Sequence, residues 1–467
     1  LDDHAISARR KRRLDIRATI WDNVSMDAFV IHGGKRLRGR VRVNGSKNAT
    51  LPQIAAALLT DDPLTLRDVP DLSDIREMAR LMTALGCPVV FEGDQPTRTL
   101  TATPTDASQC VAEYELVRRM RASICVLGPL VAKRGKARVS MPGGCAIGDR
   151  PVDLHIRGLK ALGARIHLDE GYIVAEAPGA PGGLGGRLRG ANVFLGGAFG
   201  STVLGTANVM SAATLAEGTT TIECAACEPE IADLADLLNK MGAKITGAGS
   251  PRITIEGVEA LRGTDHAVMP DRIEAGTYVL AAAITNGDVI LENCPTDALW
   301  ATIDRLHSIG VELEPTEDSP DDRMRQTVRV AAARRLHPVQ ITTQPHPGFP
   351  TDLQAQIMAL LCMADGNSMI TEKIFPDRFL HVAELSRMGA DLVRNGPTVL
   401  ISGVRELIGA QVMASDLRAS AGLVLAGLAA RGKTTISRVY HLDRGYERME
   451  LTLQQLGADI VRVNQDG

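Results

Sequence analysis

The sequence predicts an α/β protein of two lobes, each built from three copies of one helix–strand unit, and three observations carry that prediction. The first is length: 467 residues exceed what one hydrophobic core usually organises, so two domains are expected. The second is a recurring junction in which a helix-period segment ends on an apolar residue and a glycine before an alternating strand begins. The third is a similar junction further upstream in the same units.

The glycine junction reads ALGCPVV at Gly86, ALGARIHL at Gly163 and KMGAKIT at Gly242, then SIGVELE at Gly310, RMGADLV at Gly389 and QLGADIV at Gly457. Successive glycines stand 68 to 79 residues apart. Each follows a segment such as DLHIRGLKAL or EIADLADLLNKM, and is expected to cap that helix in the left-handed region. The upstream junction reads PLVAKRGKARVSM, AATLAEGTTTIEC, AAAITNGDVILEN, ALLCMADGNSMITE and GLAARGKTTISRV, with AALLTDDPLTLRDV the most divergent. Six units of helix, strand, loop, helix, strand result.

Composition narrows the function. Hydrophobic residues make up 45% and charged residues 23%, as in ordinary globular proteins. Aromatic residues are only 3% and the formal net charge is -3, which argues against a single-strand stacking platform and against whole-protein attraction to nucleic acid. No apolar run reaches a membrane span. Tyr278–Ile284 and Leu423–Ala430 read as buried helices, so no membrane insertion is expected. Residues 1–25 carry a basic run without an apolar stretch behind it, so they read as a disordered extension, with a nucleic-acid-binding arm as the alternative, and not as a secretory signal. Eight scattered cysteines suggest free thiols in a reducing cytoplasm. Cys224 and Cys227 form a lone CxxC without the second pair that a zinc site needs.

The stretch Gly427-Leu-Ala-Ala-Arg-Gly432-Lys433-Thr434 matches the phosphate-loop pattern in letters only. That loop requires a strand before it and a helix after it, whereas here a helix precedes and a strand follows.

The densest chemical cluster is Met141-Pro-Gly-Gly-Cys145-Ala-Ile-Gly-Asp149-Arg150-Pro-Val-Asp153-Leu-His155. Glycines 143, 144 and 148 suit a mobile loop that closes over substrate, and a thiol beside Arg150 is placed for tuning. From composition alone, a tolerated small residue in a turn fits equally well.

This run resembles the active-site loop of the UDP-N-acetylglucosamine 1-carboxyvinyltransferases, in the enolpyruvyl transferase family. NGSKNATLPQIAAALL, RRMRASICVLGPLVA, SAATLAEGTTTIECAACEPEI, PDRIEAGTYVLAAAI, HPGFPTDLQAQIMALL, FPDRFLHVAELSRMGA, QVMASDLRASAGLVLAG and YHLDRGYER match in the family's order, covering nearly all of Met26 to Val463. The resemblance implies a two-domain inside-out α/β barrel with three repeated units per domain. Residues 26–46 with 270–467 would form one lobe, and 47–269 the other, carrying the Cys145 loop.

The resemblance also implies transfer of the enolpyruvyl group of phosphoenolpyruvate to the 3′-hydroxyl of UDP-N-acetylglucosamine, with release of phosphate. Cys145 would be the loop acid and Asp352 the base. Lys47 would face phosphoenolpyruvate and Asn48 the sugar. Arg121, Arg150, Arg378, Arg418 and Arg444 would grip phosphate and carboxylate groups, with Asp416, Gly205 and Ile374 also at the substrate. Planar guanidinium forks suit such anions. No metal and no cofactor is implied. The family is the target of the epoxide fosfomycin, which alkylates the loop cysteine. The stretch APGAPGGLGGRLRGANVFLGGAFGSTVLG is longer than its family counterpart, and the acidic insert TEDSPDDRMRQ lies outside the pattern. Two rival readings stand beside this one: the shikimate-pathway enolpyruvyl transferase, and a silent paralogue that binds UDP-sugar.

Overall fold

A computed structural model describes residues 27–142, 152–179, 186–332 and 335–464. The expected 1–25 extension, Cys145 and Arg150 lie outside the described residues. The architecture is the two-lobe inside-out α/β fold, with six sheets of four strands each among the described residues.

One sheet shows the plan of all six. Val111–Ala112 runs parallel to Lys136–Ser140, with helix Leu127–Arg134 between them. Tyr172–Glu176 then lies antiparallel to both Lys136–Ser140 and Arg165–Asp169. The chain closes on itself in both lobes. Asp265–Ala267 supplies the parallel partner of Leu64–Arg67, and Asp27–His32 fits between Lys433–Ser437 and Asp459–Asn464. The most divergent upstream junction, at 56–69, is the one whose parallel partner arrives from some 200 residues later.

The junction glycines cap as expected: Gly86, Gly163, Gly242, Gly310, Gly389 and Gly457 all have φ between +73° and +105°. Each unit has one helix buried all round and one amphipathic helix outside it. Every residue of Arg272–Ile284 is buried, and Leu417–Ala429 is nearly so, whereas Pro229–Lys240 buries only one face. Helices that are apolar on all sides must lie inside. The inner helices approach closely because they are rich in Ala and Gly: a Cβ on Gly422 would lie 2.7 Å from the Ala355 carbonyl oxygen. The phosphate-loop look-alike is helix Leu417–Ala429 followed by strand Lys433–Ser437, in the reverse order to a phosphate loop.

Two hydrophobic cores form. One gathers buried residues from Ala49 to Met269 together with Ala298, and the other gathers Phe29–Val43 and Ile273–Ile460. At ~1.5–3 kcal/mol per fully buried Leu, Ile or Val side chain, each is a large favourable term. The chain crosses between them at 43–46 and 268–271, where Ser46 N–H donates to the Met269 carbonyl at 2.7 Å and Asp271 N–H to that of Asn44 at 2.8 Å. The acidic insert folds back on this crossing: Arg325 reaches the Val268 carbonyl at 2.9 Å and Asn293 Oδ1 at 3.1 Å.

Candidate active site

Two inner helices begin at the crossing, one for each lobe. Ser46 caps Lys47–Ala56 by accepting from Ala49 N–H. Asp271 caps Arg272–Ile284 by accepting from Ile273 N–H at 2.8 Å and Glu274 N–H at 3.0 Å. The other Asp271 oxygen accepts from Lys47 N–H at 3.2 Å, so Lys47 is fixed as the first residue of its helix. A helix start is also where backbone N–H groups favour anions. Asn48 follows, half-buried.

The Lys47 ammonium donates to Asp74 Oδ2 at 2.9 Å, and Arg444 Nε donates to Asp74 Oδ1 at 2.9 Å. Burial alone would raise the Asp74 carboxyl, but the charges and hydrogen bonds of Lys47 and Arg444 outweigh it and hold the group below its ordinary value. Arg444 ends a 3-10 turn of the other lobe, so this cluster spans the lobe boundary. Nearby, Arg98 donates to both oxygens of Glu447 at 2.9 Å, and Glu447 also accepts from Asp71 N–H at 2.7 Å.

A second cluster belongs to one lobe. Asp352 sits on the turn Thr351–Leu353 at the head of inner helix Gln354–Leu361. Arg378 Nη1 donates to its Oδ1 at 2.8 Å, and Arg418 Nη2 to its Oδ2 at 3.3 Å. Arg418 lies one residue into the helix that Asp416 caps, with Asp416 Oδ1 accepting from Arg418 N–H at 2.9 Å and Ala419 N–H at 3.1 Å. Its guanidinium also lies over the Tyr446 ring, 5.6 Å from the centroid. Burial would drain charge from Arg418, but Asp352, Tyr446 and Asp271 more than offset that and push its value up. Asp271 is the group that holds Lys47, so one guanidinium feels both clusters.

Glu372, fully buried, organises the neighbouring loop. Its Oε1 accepts from Thr343 Oγ1 at 2.7 Å, Ile374 N–H at 2.8 Å and Phe375 N–H at 3.0 Å. Its Oε2 accepts from Thr351 Oγ1 at 2.9 Å. A cleft of about 780 Å3 opens there. Ile374, Lys373 and Pro345 line it from one side, and Phe199 from the other lobe. Phe199 is 62% exposed, at the tip of a turn closed by hydrogen bonds between Gly197 and Gly200. This turn belongs to the long glycine-rich stretch.

Arg121 opens a 3-10 helix beside His155. Burial, then the Arg121 charge, lower the His155 imidazole to about 4, so it is neutral at pH 7. Asn208 Oδ1 accepts from Gly128 N–H at 2.8 Å, which turns its amide N–H toward His155 Nδ1, also at 2.8 Å. The ring proton therefore resides on Nε2. Gly205 lies in the first turn of helix Val203–Ala213, its N–H donating to Thr202 Oγ1 at 3.3 Å. A Cβ there would lie 2.4 Å from Thr202 Cγ2, so the capped turn excludes larger residues. Among the described residues, no group of three or more His, Cys, Asp or Glu side chains could hold a metal ion.

The structure thus brings Lys47 and Arg444 together on Asp74, and Asp352 to Arg378 and Arg418, the latter on the helix that Asp416 caps. Asp74, Glu372 and Tyr446 belong to these clusters but were absent from the sequence expectation. Arg272 was also missed: it is buried and paired with Glu230 at 3.0 and 3.2 Å across the lobe boundary. For Arg272 a signal existed, since a charged pair inside PDRIEAG opens an otherwise apolar helix. Asp74 gave none.

Comparison with known proteins decides the family. The model of EPSP synthase (3-phosphoshikimate 1-carboxyvinyltransferase) matches residues 31–453. The chain is 53% identical over 437 residues to UDP-N-acetylglucosamine 1-carboxyvinyltransferase of Anaeromyxobacter sp. (strain Fw109-5), covering 94% of this chain and 99% of that one. It belongs to the UDP-N-acetylglucosamine 1-carboxyvinyltransferase family. Within the wider enolpyruvyl transferase fold, it is similar to the enolpyruvyl transferase NikO from Streptomyces tendae, with a TM-score of 0.81, 25% identity, and coverage of 94% and 99%. EPSP synthase from Acinetobacter baumannii shares the fold, with a TM-score of 0.70 at 18% identity over 94% of this chain and 100% of that one. The UDP-N-acetylglucosamine 1-carboxyvinyltransferase relative thus shares far more sequence with the chain than this EPSP synthase does.

Proposed function

We propose that the chain transfers the enolpyruvyl group of phosphoenolpyruvate to the 3′-hydroxyl of UDP-N-acetylglucosamine, the step that commits the sugar to peptidoglycan synthesis. The observation that carries this reading is a carboxylate, Asp352, held between two buried guanidiniums in a chain of this family, with a second cationic pair, Lys47 and Arg444, at the lobe boundary.

The two substrates bring roughly five negative charges, which need fixed cations in a closed cleft. Lys47, Arg121, Arg150, Arg378, Arg418 and Arg444 supply them, while Asn48, Gly205, Ile374 and Asp416 orient the sugar nucleotide. In the addition step, Cys145 gives a proton to C3 of phosphoenolpyruvate as the 3′-oxygen bonds to C2. Asp352 takes the hydroxyl proton. In the elimination step, the C2–O bond to phosphate breaks and a C3 proton passes to the Cys145 thiolate left by the addition, restoring the double bond, while the proton held by Asp352 goes to the departing inorganic phosphate. An ordinary thiol, with a pKa near ~8.5, is protonated at neutral pH and suits the first step. The described cysteines are free thiols, which supports a cytoplasmic setting.

Phosphate release with each acceptor tests the reaction. Turnover is expected with UDP-N-acetylglucosamine. Turnover confined to shikimate 3-phosphate would replace this reading, and sugar-nucleotide binding without consumption of phosphoenolpyruvate would favour the silent paralogue. Fosfomycin should label Cys145 faster when the UDP-sugar is present, as read by peptide mass spectrometry. Even labelling over all eight cysteines would remove its special placement.

A further inference from the structure

We infer that Glu372 is a positioning residue for the proposed base, acting through the Thr351 hydroxyl and the Arg378 guanidinium; this rests on the reading of Asp352 above. The Thr351 hydroxyl donates to Glu372 Oε2 at 2.9 Å and accepts from Arg378 Nη1 at 3.0 Å. The same Nη1 donates to Asp352 Oδ1 at 2.8 Å. A hydroxyl has one proton to give, so the Glu372 carboxylate sets its direction. With that proton committed, the hydroxyl lone pairs face Arg378 and hold its fork against Asp352.

Glu372 has no exposed surface, and its two carboxyl oxygens accept from four donors. Three of those donors shape the loop that bears Ile374 and lines the cleft. The fourth leads to the base. A carboxylate needed only to fold the loop would not require the fourth link. In Glu372→Gln, the amide can still accept from Ile374 and Phe375, but its N–H2 end faces Thr351. The hydroxyl then receives two donors and loses its acceptor, and Arg378 is released from its set orientation. Small misplacements of reacting groups carry large rate penalties.

Steady-state phosphate release on the full-length Glu372→Gln, Thr351→Val and double variants tests the chain of contacts. Each single variant is expected to lower kcat by about tenfold to a hundredfold, with KM for UDP-N-acetylglucosamine within about threefold of wild type. The double variant should be no worse than the poorer single one, because both break the same link. Thr351→Ser keeps the hydroxyl and should retain wild-type kcat. Losses that multiply in the double variant, or an unchanged kcat in folded Glu372→Gln, would overturn the inference. Should Glu372→Gln fail to fold, the contrast between Thr351→Val and Thr351→Ser decides, equal rates in those two again overturning it. Absence of any turnover by the wild type would instead count against the proposed reaction.

Discussion

Asp352 and Asp74 are each a carboxylate between two cations, yet the two clusters are built in different ways. Asp352, Arg378 and Arg418 all belong to one lobe, on elements that pack around the inner helices of a single core. Asp74 shares a lobe with Lys47 but meets Arg444 only across the boundary. The first cluster is fixed by core packing and persists whenever its lobe is folded. The second is complete only when both lobes are in register. A chemical step that needs a fixed base and a closing grip on phosphate can be divided between two such devices, one permanent and one conditional on closure.

The largest effect expected from breaking this contrast is at the fixed cluster. Asp352→Asn should lower kcat for phosphate release by about 10²–10⁴-fold while UDP-sugar binding, followed by calorimetry, persists. A loss smaller than tenfold would show that the base lies elsewhere. At the conditional cluster, Asp74→Asn leaves two cations without their shared anion and should destabilise the chain by about 3–5 kcal/mol, read from urea unfolding. The sign with pH also follows. Because the Asp74 carboxyl is lowered in the folded state, its contribution is present above the ordinary aspartate value near ~3.9 and is lost as pH falls through the lowered one. The gap in Tm between wild type and Asp74→Asn should therefore close as the solution is made strongly acidic.

Glu274 gives a test of the crossing itself. Burial, then the negative charge of Asp271, push its carboxyl up to about 8 against the hydrogen bonds from Asn44. Between the ordinary value of 4.5 and 8, the folded chain keeps this proton and the unfolded chain releases it, so stability declines as pH rises through that window. Glu274→Gln should flatten the slope, removing a change on the order of a few kcal/mol. An unaltered Tm profile between pH 5 and 8 would show that another group sets it. The smallest effect is expected at the cleft: Phe199→Ala should raise KM for the UDP-sugar by about threefold and leave kcat unchanged. Unchanged KM would place the sugar nucleotide away from this turn.

What could be read in the sequence was local in kind. Glycine caps, helix periods and their sixfold recurrence depend on neighbours a few residues apart, and Gly86 through Gly457 adopt the expected conformation. Lys47, Arg378 and Arg444 were expected at the substrate because they stand in the short segments that carry the family resemblance. Asp74 stands in no such motif and meets Arg444 from 370 residues away. Glu372 lies inside a strand-ending TEK that reads as a pair of solvent-facing charges, and only folding shows that it is buried with four donors around it. Charge pairing at long range leaves no periodic trace in a single chain, so these partners emerge only in three dimensions.

The strand Asp27–His32 lies in the interior of a sheet whose flanking strands come from Lys433–Ser437 and Asp459–Asn464. During synthesis on the ribosome, this early segment must wait for almost the whole polypeptide to emerge before its ladder can form, whereas residues 49–269 can condense while translation continues. A nascent chain stalled before residue 433 would hold one finished half and one unsealed half, with an apolar strand still open to chaperones.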